Sequence, residues 1–66
     1  MTLIDLEINQ IATIHTSNSR RLLEMGLGKG TTIQYLQKSP FDFPRIFKVR
    51  NFLVALNENE CNMVLI

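Results

Sequence analysis

The sequence has no tryptophan, one cysteine, one histidine, two prolines and three glycines in 66 residues. A single cysteine cannot close an internal disulfide, so apolar packing must hold the chain, and a reducing compartment suits it. His15 and Cys61 are the only soft metal ligands, and they stand far apart in the chain. They lack the paired spacing and the four ligands of structural zinc. Neither sign of charge predominates: seven Lys and Arg face six Asp and Glu, for a net charge of +1. Composition therefore announces neither a basic nucleic-acid module nor an acidic tail. No apolar run approaches the roughly 20 residues that span a bilayer. The longest, Phe52–Leu56 and Met63–Ile66, are strand-sized. The opening Met1-Thr2-Leu3-Ile4-Asp5-Leu6-Glu7 puts acids where a signal peptide is apolar, so a cytoplasmic location is expected. Length excludes a two-domain enzyme, a dinucleotide fold and a barrel of alternating strands and helices. A single domain over residues 1–66 is expected, and a hydrophobic share of 45% argues against disorder.

What is present reads as short strands. Leu3–Leu6 suits a turn of helix or a lead-in strand. Ile8–His15 alternates with β-branched residues and predicts a strand. Thr16-Ser17-Asn18-Ser19 is a run of helix-capping residues ahead of Arg20–Met25, which is rich in helix formers. Gly26 ends that helix as a left-handed residue, which places Leu27 against Leu22. Thr31–Lys38 alternates again, with Ile33 and Tyr35 on one face. Ser39–Pro44 is a proline-bounded loop. Arg45–Arg50 and Phe52–Leu56 form a hairpin about Asn51, the expected left-handed residue. Asn57–Glu60 is a turn or one helical turn, and Met63–Ile66 a last strand. The fold expected is mainly β: a small SH3-like barrel of about five strands with one short α-helix over an open end. The expected core is Ile14, Leu22, Leu23, Ile33, Tyr35, Phe47, Val49, Val54, Leu56 and Val64, and Leu23→Asp is expected to unfold it.

Chemistry in the sequence is sparse. Gly26-x-Gly28-x-Gly30 leaves a helix and enters a strand, the reverse of a phosphate loop, so the glycines read as a cap and a turn. Asp5, Glu7, Glu58 and Glu60 could add oxygens to His15 and Cys61 only if the chain ends meet, and no metal site is expected. Cys61 reads as a small core hydrophobe. No nucleophile, base or carboxylate pair suggests an enzyme. Lys48 and Arg50 share a strand face with Arg45 near, but no aromatic interleaves with them, so nucleic-acid binding is not expected. Arg20 and Arg21 open a helix, where positive charge is locally unfavourable. That placement points to an acidic partner surface. Phe41 and Phe43 flank Asp42 in the rigid loop, and alternate positions point apart, so one Phe is expected to plug the barrel end and the other to dock a partner. Arg20, Arg21, Phe41 and Phe43 are thus the candidate partner-binding residues.

Arg20-Arg21-Leu22-Leu23-Glu24-Met25-Gly26-Leu27 followed by Gly30-Thr31 resembles the helix-and-turn signature of the ferrous iron transport protein A family, FeoA. Pro40, Pro44, Lys48-Val49-Arg50, Ala55-Leu56, Val64 and Ile66 fall in similar order, so the resemblance covers about residues 3–66. Asn9 and Asn51 stand where the family usually has Gly, Lys29 where Pro is common, and Asn57 where Arg is common. The resemblance implies a small SH3-like domain that is neither enzyme nor permease and needs no cofactor. It also implies a partner, the FeoB membrane permease with its cytosolic GTP-binding domain, with no direct membrane insertion. Weak self-association through an open barrel edge is compatible with it. A similar domain closes metal-dependent repressors, so the alternative expectation is a free-standing regulatory interaction domain.

Overall fold

The computed structural model describes residues 1–66. The chain begins with a capping box. The Thr2 hydroxyl accepts from the Ile4 N–H, and Asp5 reaches back to the Thr2 N–H at 3.0 Å. These bonds set a 3₁₀ turn over Leu3–Asp5, which drives Leu3 fully into the core.

Strand β1 is only Ile11–Thr13 and β2 only Thr16–Ser17. The strand expected over Ile8–His15 is cut short at both ends. Asn9 adopts a left-handed conformation (φ 73°), as its side chain permits, and this breaks the extended run after Ile8. At the other end the chain changes sheets: the Ile14 N–H donates to Thr31, while the His15 N–H donates to Leu65. Thr16 and Ser17 are strand residues rather than caps. One helix start can use few capping oxygens, and Ser19 alone supplies them, accepting from the Leu22 N–H. The Ser17 hydroxyl instead donates to the Leu27 carbonyl.

Helix α1 is Arg20–Glu24. Gly26 (φ 95°) closes it: its N–H donates to Leu23 O, and the Leu27 N–H donates to Leu22 O, both at 3.0 Å. This pair of bonds is the Schellman arrangement, and Leu22 and Leu27 are both buried beneath it. Leu23 departs from expectation: it is 46% exposed. Five helical residues present little more than one face, and Leu22 occupies it.

Strands β3 (Thr32–Lys38), β4 (Arg45–Val49) and β5 (Phe52–Leu56) follow, then helix α2 (Glu58–Met63) and β6 (Val64–Leu65). The main sheet is antiparallel in the order β1-β3-β4-β5, and β2 pairs with β6. The two α-helices and six strands exceed the one helix and about five strands expected: Asn57 and Glu60 build a second capping box that starts α2, and Thr16–Ser17 adds β2 by pairing with β6. The chain ends do meet, through the Thr2–Leu65 bridge and the Ile66 N–H donating to Met1 O at 2.9 Å. The fold is SH3-like but the barrel is not closed: no ladder joins β5 to β1. The β4–β5 turn places its left-handed residue at Arg50 (φ 56°), not Asn51. A two-residue hairpin with positive φ at its first central position matches strand twist, so position rather than residue type decided it.

One core gathers Leu3, Leu6, Ile14, Leu22, Leu27, Ile33, Tyr35, Phe47, Val49, Val54, Leu56, Cys61 and Val64. Every expected core residue except Leu23 lies in it.

Candidate interaction surface

No pocket opens in this surface, and no three His, Cys, Asp or Glu side chains come together. Two apolar and two cationic side chains were expected to carry contact, and the structure treats the members of each pair differently.

The loop between β3 and β4 holds Phe41 and Phe43. Phe41 is 90% exposed, while Phe43 packs against the core, so the pair divides as its alternation requires. The loop is tied at several points. The Ser39 hydroxyl donates to Phe43 O at 2.7 Å, the Asp42 N–H to Ser39 O at 2.9 Å and the Ser39 N–H to Pro44 O at 3.2 Å. The Phe43–Pro44 peptide is cis.

Arg45 closes the structure. Its guanidinium reaches both carboxylate oxygens of Asp42 at 3.1 Å and the Ile4 carbonyl at 3.2 Å. It also lies 4.4 Å from the Phe43 ring centroid and 5.2 Å from that of Tyr35. Arg45 is thus turned away from the open face that carries Lys48. It fastens the loop to the sheet and to the 3₁₀ turn, and leaves Phe41 projecting from a fixed base.

On α1, Arg20 pairs with Glu24 at 3.4 Å, with both side chains largely in solvent. Arg21 reaches across to Glu60 of α2 at 2.7 Å. The second carboxylate oxygen of Glu60 accepts from the Asn57 N–H at 3.0 Å, so one side chain caps α2 and joins it to α1. Both cations at the helix start thus have an intramolecular counterpart: Arg20 on its own helix, and Arg21 on a residue that local sequence could not pair with it across so long a separation. No hydrogen bond or ion pair joins the helix pair to the loop pair. The connection runs from Arg21 through Glu60 and α2 to the 3₁₀ turn, and from Ile4 to Arg45.

Cys61 is fully buried, and burial pushes its thiol up to about 11, with Arg45 pulling the other way. A thiol so placed stays protonated and is a poor ligand or nucleophile. Burial also raises the Tyr35 hydroxyl, opposed by Arg45.

A family model for the FeoA domain matches residues 1–66. The chain belongs to the FeoA family. Solved structures agree with this FeoA assignment. The chain is similar to a zinc-complexed FeoA from Stenotrophomonas maltophilia, with 27% identity, a TM-score of 0.88, and coverage of 98% of this chain and 87% of that one. That protein is described as a prokaryotic SH3 domain and a candidate activating factor of bacterial ferrous iron transport. It is similar also to an iron(II) transport protein A from Clostridium thermocellum, with 25% identity and a TM-score of 0.87, covering 97% of this chain but only 43% of that one. A third FeoA, described as an iron uptake regulatory protein, is 26% identical with a TM-score of 0.82, covering 97% of this chain and 89% of that one. No curated protein matches the chain. No helix of this FeoA domain is long and apolar enough to cross a membrane.

The residue that sequence reading missed is Arg45. Its signal was present: an Asp three residues before an Arg, with aromatics on either side.

Proposed function

We propose that this FeoA domain is a cytoplasmic accessory of a bacterial ferrous iron uptake system. It acts by protein–protein contact with a FeoB-type permease and is not itself an enzyme. The single observation that carries the reading is Phe41: a fully projecting aromatic on a loop pinned by Arg45, in a molecule without a pocket. Exposed aromatics on pre-ordered loops make contact anchors because little side-chain and backbone entropy is lost on docking. Family membership and the description of the Stenotrophomonas relative support the link to iron transport.

Contact through Phe41, Phe43, Arg20 and Arg21 divides into distinct roles. Phe41 is the anchor. Phe43 holds the loop from below and meets a partner only at its exposed edge. Arg20, with its exposed and easily exchanged Glu24 partner, offers charge to an acidic permease surface. Arg21 contributes by fixing α1 to α2.

A titration of the ¹⁵N-labelled domain with the cytosolic part of the cognate permease tests this. The expected result is amide shifts confined to 20–24 and 39–44, lost in Phe41→Ala. Binding that survives Phe41→Ala unchanged, or shifts on other elements, would overturn the assignment of the site.

A further inference from the structure

The charges of this molecule are segregated. The four-stranded sheet and its hairpin turn carry Lys38, Arg45, Lys48 and Arg50, and none of the six acids. Asp5, Glu7, Glu24, Asp42, Glu58 and Glu60 all lie on the terminal turn, the helices or the loops. The register lines up Ile11, Gln34, Lys48 and Leu53 in one row across the sheet, on the face away from the core. Ile11 is 60% and Leu53 63% exposed.

This face ends at an open edge. β5 is the last strand, and β4 is its only extensive neighbour. Outside the ladder, no backbone hydrogen bond involves Phe52–Leu56, and the one side-chain bond there is the Cys61 thiol to Leu56 O at 3.9 Å. Val49 and Phe52 close a two-residue hairpin and so form a hydrogen-bonded pair. Pairing then alternates, which leaves the N–H and C=O of Leu53 and Ala55 directed out of the sheet. The strand reads Phe-Leu-Val-Ala-Leu, with no charge, proline or glycine to blunt that edge.

We propose that β5 is a strand-addition site for an extended acidic segment of a partner protein, separate from the Phe41 surface. The unpaired backbone of Leu53 and Ala55 requires a strand. Leu53 supplies an apolar contact on the outer face. Lys48, one strand in, and Arg50, in the adjoining turn, select acidic side chains on that same face. A second copy of this chain is disfavoured, because edge-to-edge pairing would bring together Lys48 and Arg50 of two copies, cations that have no acidic partner of their own. Nucleic acid lacks a stacking platform: Tyr35 and Phe47 are buried, and Phe52 lies beside Gly26 on the opposite side.

The probe is a blocked octapeptide alternating glutamate and valine, with a lysine–valine octapeptide as control, read by amide shifts and hydrogen exchange. The glutamate peptide should shift Arg50, Leu53 and Ala55, and slow exchange at Leu53 and Ala55. The double variant K48E/R50E should bind it about tenfold more weakly or worse, and binding should weaken as salt rises. Leu53→Pro, which deletes an outward N–H but no ladder bond, should abolish binding while the remaining spectrum stays dispersed. No shift at millimolar glutamate peptide overturns the proposal. So does equal binding of the lysine peptide, a shift pattern off β5, or a response to phosphatidylglycerol vesicles without one to the peptide. The surface does not overlap the loop and helix tested with the permease, so failure of either proposal leaves the other distinguishable.

Discussion

At the residue scale, Arg45 ties the loop of the proposed site to the sheet and to the first turn. Arg45→Ala removes a two-point ion pair, a carbonyl contact and two aromatic contacts at once. It should cost about 2–4 kcal/mol in urea unfolding, and Arg45→Lys should recover little, because an ammonium cannot bridge both Asp42 oxygens and Ile4 O. Arg50 sits in a left-handed conformation that disfavours any side chain, so Arg50→Gly should stabilise the domain by about 0.5–1.5 kcal/mol. Cys61 gives a pH dependence with a fixed sign. Its folded pKa lies above the ordinary value of 9.0, so the unfolded chain loses its proton first as pH rises. Stability should be level below about pH 9 and fall between 9 and about 11. Cys61→Ala should flatten that fall in urea titrations taken across the range. An identical slope in the variant would remove Cys61 as the cause.

At the scale of elements, the helices show what sequence makes visible. A helix from Arg20 and its Gly26 stop were legible because caps act over three or four residues, but which of the four residues Thr16–Ser19 is the cap was not. The second helix was only half visible. Asn57 with Glu60 is a capping box at its ordinary spacing, but the six residues after it carry no apolar stripe long enough to announce a helix. Leu23 was misread because a five-residue helix has too few turns for periodicity to choose between adjacent leucines. The structure chooses Leu22 and reverses the expected mutational result. Leu22→Asp should leave the domain unfolded, whereas Leu23→Asp should change stability by no more than about 1 kcal/mol, as circular dichroism melting would show. Glu60→Ala should cost about 1–2 kcal/mol, more than Arg21→Ala, because Glu60 both caps α2 and binds α1. In the main sheet β3 and β4 were legible from alternation and β5 as a strand-sized apolar run returning from a hairpin, while β1 was read too long because alternation does not show the left-handed turn at Asn9 or the change of sheet after Ile14. β6 was legible as the apolar close over Met63–Ile66, but the two-residue β2 was not, since pairing with that distant strand defines it, not any local pattern.

At the scale of the molecule, the fold brings both chain ends, both helices and the pinned loop around one side of an open sheet. The other face and the far edge of that sheet stay uncovered. The loop site was partly legible: alternation divides Phe41 from Phe43, but only the assembled fold shows which one faces water and that Arg45 holds the base. The ion pair of Arg21 with Glu60 was beyond local reasoning for the same reason, whereas that of Arg20 with Glu24 is a helical neighbour pair four residues apart. The central claim is that Phe41 on its pinned loop meets the permease. The most direct test is the affinity of the domain for the cytosolic part of a FeoB-type permease, measured by calorimetry with wild type and Phe41→Ala. The account predicts a loss of at least about tenfold, or 1.4 kcal/mol, with an unchanged melting temperature. Equal affinities for the two proteins would contradict it.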